Sequence, residues 1–217
     1  GAVRAYVGSQ NFFDNTFSGQ VDGIKATRST GSLLKPFLVA KALDRGPFTM
    51  QSQIQDVPTF FGTFSPQNAS KTFSGMVTLD EMLIRSLNIP SVRLLNTIGI
   101  SDMYEIFKDM GLRGLFRSAE GYGLALILGG AEASLYELVQ AYVDLGNMGK
   151  PIDLFILPKE RESIRERSFS AGACYQVLMT LQNLTRPGSD FYWKNFSYQT
   201  PVSWKTGTSY GQKDAWA

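Results

Sequence analysis

The stretch Pro201-Val202-Ser203-Trp204-Lys205-Thr206-Gly207-Thr208 reads as a strand late in the chain, and the glycine inside it is its most informative residue. Glycine weakens a strand unless something must come close to its backbone. A bound substrate is one such thing. Lys205 beside it supplies positive charge suited to a carboxylate, and the hydroxyls of Thr206, Thr208 and Ser209 add donors along the same edge. An edge strand with a bulge accounts for the same residues without any chemistry, so this segment alone does not define a site.

Working outward, the other end of the chain offers a second short strand, Gly1 to Gly8, followed by a Gly-, Ser- and Asn-rich loop over residues 9 to 31. A helix is predicted from Ser32 to Gly46, with Ser32 at its N-terminus and Pro36 confined to the first turn, where a missing amide costs least. Residues 47 to 76 show no sustained period. Thr78 and Glu81 form a capping-box pattern that opens a helix from Leu79 to Ser86, and Pro90 suits the first position of a helix over Ser91 to Thr97. Ser134 and Glu137 repeat the capping-box signal ahead of Leu135 to Tyr142. A charged loop around Lys159 to Arg167 precedes a further helix, Ala171 to Leu184. Strand, helices, strand is an α+β order. Without internal repeat or linker-like segment, residues 1 to 217 read as one domain.

Composition excludes several classes. Lysine and arginine total 21 against 19 acidic residues, and a net charge of +2 sets up no field that would recruit nucleic acid. Cys174 is the sole cysteine, so neither an intrachain disulfide nor a cysteine-rich zinc site is available. There is no histidine, which removes most metal sites and the imidazole that Ser-His-Asp and Cys-His enzymes use as base. No cofactor is expected. A nucleophile here needs another activator, and a lysine kept neutral by its surroundings is the obvious one. The longest apolar stretch, Leu124 to Leu128, is too short to cross a bilayer, so any anchor or export signal is expected outside this segment.

Two further motifs meet that need. Ser32-Leu33-Leu34-Lys35 spaces a hydroxyl and an amine three residues apart, on one face of a helical turn. Ser86-Leu87-Asn88 follows the Leu79 helix, while a second Ser-x-Asn, Ser9-Gln10-Asn11, lies at the end of the opening strand. Position favours the later copy. Each motif has an ordinary reading as helix surface or helix end.

Taken in order, Ser-x-x-Lys, Ser-x-Asn and Lys-Thr-Gly resemble the active-site triplet of penicillin-binding proteins and serine β-lactamases. The likeness extends over nearly the whole chain. Arg28-Ser29-Thr30-Gly31, Lys35-Pro36-Phe37 and Arg85 through Arg93 look like class A penicillin-binding proteins. Asp56-Val57-Pro58-Thr59, Trp204 through Gly211 and Asp214-Ala215-Trp216 look most like the 1C subgroup.

The resemblance implies a mainly antiparallel sheet flanked by helices, with the chain ending at Ala217 just past the motif strand where the family continues into further strands. It implies Ser32 as nucleophile on D-alanyl-D-alanine stem peptides, Lys35 as base, Ser86 as proton carrier and Asn88 as the group that aligns Lys35 and substrate. Ser32 and Thr208 amides would form the oxyanion hole, and Lys205, Thr206, Gly207, Thr208 and Ser209 the substrate edge. Peptidoglycan and β-lactams would be its partners, outside the cytoplasmic membrane, with a glycosyltransferase domain and anchor upstream. The β-lactamase or carboxypeptidase reading is weakened because no Glu-x-x-Leu-Asn pattern supplies a deacylating base. A binding-only domain would have lost a catalytic residue, and none is missing.

Overall fold

The computed structural model describes residues 1–156, 165–183 and 201–217. At its centre is helix α1, Lys35–Asp44, whose Lys35, Pro36, Phe37, Leu38, Val39, Ala40 and Ala42 are all buried. A helix apolar on every side has to be enclosed by other elements. Three helices do this: α2, Leu79–Ile84; α3, Asn88–Ile98; and α7, Ala171–Gln182. Their apolar faces join α1 in one continuous buried cluster.

Helix α1 starts at Lys35, three residues later than expected, and the reason is Pro36. An α-helical bond to the Ser32 carbonyl would have to come from the amide of residue 36, and proline has none. The Ser32 carbonyl instead accepts the Lys35 amide at 3.3 Å, and Leu33 N–H bonds the Thr30 carbonyl at 3.1 Å. Ser32 therefore stands in a tight turn ahead of the helix rather than inside it.

Capping chemistry sets two other helix starts. Helix α6, Leu135–Gly146, carries the complete Ser134–Glu137 capping box. In α2 only half of the box forms: Thr78 Oγ1 accepts the Glu81 amide at 3.4 Å, while the Glu81 carboxylate turns to Arg85 at 2.7 Å. Helix α3 begins at Asn88, so Pro90 occupies its third position, still within the turn that tolerates it. Amphipathic α4, Ile100–Asp109, had no sequence expectation, and neither did the short α5, Ala119–Tyr122. The apolar run near Leu124 folds as a 3₁₀ turn, Gly123–Leu128. Of the last predicted helix, Leu184 lies outside the described residues, as does the charged loop up to position 164.

Strands are short and paired antiparallel: β1, Arg28–Ser29, with β4, Glu132–Ala133; β2, Gln53–Asp56, with β3, Gly75–Thr78; and β5, Gly207–Thr208, with β6, Ala215–Trp216. The architecture is α+β. Both long predicted strands shrink. The opening segment makes only a parallel bridge from Ala2 to Phe155, and Val7 and Val202 are exposed. Valine-rich letters make a strand only where a neighbour completes the ladder. The stretch from 47 to 76, which looked irregular, supplies most of the β2–β3 hairpin.

The protein itself makes a close approach to Gly207. A β-carbon on Gly207 would lie 2.6 Å from the Thr30 carbonyl oxygen, and one on Gly31 would lie 2.6 Å from the Thr208 nitrogen. Strand β5 thus crosses the Thr30–Ser32 turn backbone to backbone. Trp216 Nε1 donates to the Ser29 carbonyl at 2.9 Å, and Arg28 pairs with Asp214 at 3.2 Å, so the β5–β6 hairpin is fastened to β1. Gly31 also has φ of 54°, where a side chain is strained. Gly31→Ala is expected to destabilise the fold by about 1 to 3 kcal/mol, from backbone strain and the clash together. Urea denaturation showing no loss would contradict the crossing.

Candidate active site

Lys35 is the first residue of α1 and has no solvent exposure, so its stem fills core space and its amine must find every partner inside the protein. Nζ donates to the Asn88 side-chain oxygen at 2.7 Å, the Ser86 carbonyl at 2.8 Å and the Leu87 carbonyl at 3.1 Å. Three acceptors are what an ammonium requires. Burial nevertheless pushes the Lys35 amine well below the ordinary lysine range, and the charge of Lys205 pushes it the same way. On losing a proton the amine keeps two N–H groups and gains a lone pair able to accept one.

Those acceptors are presented by the end of α2. Ser86 N–H bonds the Leu83 carbonyl at 3.2 Å and Leu87 N–H the Met82 carbonyl at 3.0 Å, the paired bonds of a Schellman ending. That ending puts one residue in the left-handed region, and here it is Ser86, with φ of 55°. Glycine is the usual occupant. The Ser86 carbonyl faces Lys35, while its hydroxyl receives Lys205 Nζ at 2.8 Å. Ser86 thereby bridges Lys35, which comes from α1, and Lys205, which comes from the segment ahead of β5.

Lys205 is 2% exposed and also donates to the Thr206 carbonyl at 2.8 Å. Asn88, the first residue of α3, gives its side-chain N–H to the Gln67 carbonyl at 2.8 Å. Ser32 is half-buried, and among the described residues its hydroxyl makes no hydrogen bond. Tyr142 OH donates to the Leu33 carbonyl at 2.8 Å, tying down the turn beside Ser32. Thr208 is exposed along β5. Ser209 is mostly buried, and its hydroxyl accepts the Asp214 amide at 2.8 Å, a bond internal to the hairpin. The earlier Ser-x-Asn sits apart in the N-terminal loop, where Asn11 accepts the Phe13 amide at 3.1 Å.

Sequence reading missed the supports. Asn68 and Asp56 are buried beneath the α3 N-terminus, and Tyr142 and Trp216 hold the Ser32 turn. Nothing in the spacing of Asn68 marks it, because the α3 amides it holds are about twenty positions away.

The fold and this lysine–serine–lysine cluster define a class, and comparison with known proteins gives it a name: the chain belongs to the penicillin-binding protein transpeptidase domain family, whose description matches residues 1–215. It is 36% identical over 216 residues to penicillin-binding protein 1C of Escherichia coli strain K12, covering 99% of this chain and 27% of that relative. It is 28% identical over 239 residues to penicillin-binding protein 1A of Neisseria meningitidis serogroup A, covering all of this chain and 29% of that relative. The chain thus spans under a third of the length of these relatives.

Two outcomes test this geometry. Ser86→Gly and Ser86→Ala both remove the hydroxyl, but only glycine relieves the left-handed strain, so the glycine variant should be the more stable by about 1 kcal/mol. Equal urea midpoints would refute the strain. For Lys35, the folded-state pKa lies below the unfolded one, so in the window between them the unfolded chain binds more protons and stability rises with pH. Lys35→Met should remove that rise; parallel pH profiles of the two proteins' urea midpoints would count against a depressed amine.

Proposed function

We propose that this chain is a peptidoglycan D,D-transpeptidase module acting through an acyl-enzyme on Ser32. The observation that carries the reading is the juncture at Ser86, where the buried Lys35 amine meets the serine's carbonyl and the Lys205 amine meets its hydroxyl. In this reading neutral Lys35 takes the Ser32 proton as the serine oxygen attacks the carbonyl between two terminal D-alanines. An ester forms at Ser32, the C–N bond breaks, and a proton passes through Ser86 to the departing D-alanine amine. An acceptor amine on a neighbouring stem peptide then attacks the ester and frees Ser32. Asn88 aligns Lys35 with the substrate amide, and backbone amides of Ser32 and Thr208 receive the developing oxyanion.

The crossing of β5 over the Thr30–Ser32 turn supports that pairing of amides, since it brings the Thr208 backbone against Gly31. Lys205, Thr206, Gly207 and Thr208 form the edge along which the substrate carboxylate lies, while Ser209 shapes the hairpin that carries it. A β-lactam enters the same chemistry, its strained amide opening on Ser32 to leave a tethered fragment. The family and the names of the relatives support this assignment and an extracytoplasmic setting at the cell wall.

Intact-protein mass measured after incubation with a penicillin tests it. The wild-type protein should gain one antibiotic mass that persists for hours, Ser9→Ala should behave identically, and Ser32→Ala should gain none. Equal labelling of wild type and Ser32→Ala would end the assignment, and rapid adduct loss with antibiotic consumption would indicate a hydrolase instead.

A further inference from the structure

Asn68 carries no reactive group, yet its side chain is 4% exposed and every polar position on it is used. Its two N–H groups go to Asp56 Oδ1 at 2.7 Å and the Thr72 carbonyl at 2.9 Å. Its oxygen accepts the backbone amides of Asn88 at 2.9 Å and Ile89 at 3.3 Å. Leu87, the residue in the N-cap position of α3, has no capping side chain, so Asn68 caps this helix from a distant loop.

The arrangement has only one consistent polarity. Asp56 is wholly buried and its other oxygen accepts the Ser74 amide at 2.9 Å; a carboxylate accepts only, so it fixes which end of the Asn68 amide faces it. Asn68 oxygen must then point to the α3 amides. The neighbouring Gln67 carbonyl takes the Asn88 side-chain N–H at 2.8 Å, which leaves the Asn88 oxygen facing Lys35 at 2.7 Å. Residues 67 and 68 therefore hold Asn88 by its backbone and by its side chain at once.

We infer that Asn68, oriented by the buried Asp56 carboxylate, is a positioning residue that holds Asn88 with its side-chain oxygen on Lys35. Its consequence for catalysis rests on the reading of Lys35 as base given above. Burying a carboxylate is costly, and the hairpin end where Asp56 sits, opposite Gly75, offers it only this amide and the Ser74 N–H among the described residues.

Two variants in one neutral background test the inference. Asp56→Asn/Asn68→Ala leaves no orphaned buried charge but lacks the cap. Asp56→Asn/Asn68→Asp reverses the polarity of the pair: the new carboxylate at position 68 can still accept the α3 amides and a hydrogen bond from position 56, and the carbonyl of the exposed Thr72, which loses its Asn68 donor, turns to water. The readouts are the rate of penicillin acylation and the Asn88 side-chain amide signal in proton–nitrogen correlation spectra. The alanine variant should lose on the order of tenfold to a hundredfold in rate and shift or broaden the Asn88 signal. The polarity-reversed variant should recover both. If the alanine variant fails to fold, the polarity-reversed one decides, since a folded protein with a displaced Asn88 signal overturns the inference. An unchanged signal and rate in the alanine variant overturn it as well. If the wild type is not acylated, the transpeptidase reading falls, and the Asn88 signal alone still judges the positioning role.

Discussion

The constraint on which this structure turns is a lysine amine placed where water cannot reach it. Lys35 opens the most buried helix of the protein, and an amine in such a place must be surrounded by acceptors, lose its proton, or both. The end of α2 and the start of α3 are built around that need. They supply two carbonyls and one side-chain oxygen, and their junction at Ser86 and Leu87 is the point where the chain turns from one helix into the other. Lys205, arriving from the far end of the sequence, adds a second positive charge beside the first. Its presence favours the neutral form of Lys35, the state in which a lysine can act as a base.

A second constraint is how close two backbones can come. Gly31 and Gly207 let the β5 strand lie directly on the Thr30–Ser32 turn, and Gly129 lets a third segment approach from the other side, where a β-carbon would meet Gly31 Cα at 2.8 Å. Side chains at these positions would separate the elements and, with them, the Ser32 turn from the Thr208 amide. The fastening is by hydrogen bonds around the crossing: Trp216 to Ser29, Ser29 Oγ to Gly129, and Tyr142 to Leu33. Ser86 shows the same preference for arrangement over local comfort. A serine stands where a helix ending favours glycine, and the strain is tolerated because its hydroxyl is the group Lys205 meets.

Much of this was written in single stretches of sequence. The capping box at Ser134 and Glu137 forms as read, and the helices near Ser32, Leu79 and Ala171 are present with ends shifted by a few residues. The largest shift, at Ser32, follows from Pro36 and was contained in the letters, since a proline four residues on deprives the Ser32 carbonyl of its helical donor. The two long strands failed because β-structure is decided by a partner that local composition does not name. The β2–β3 hairpin was overlooked for the converse reason.

By itself, the sequence determined which chemistry was possible: no histidine to act as base, Lys35 and Lys205 in motifs with serines spaced to meet them, and glycines where something had to pass closely. Only the tertiary structure decided what those glycines were for, which of the two Ser-x-Asn copies meets the lysines, and how deeply Lys35 is buried. It also revealed Asp56 and Asn68 as the support beneath Asn88. Local spacing constrains residues within a turn or two of one another, whereas burial and hydrogen-bond partnership are set by segments that meet only when the chain has folded.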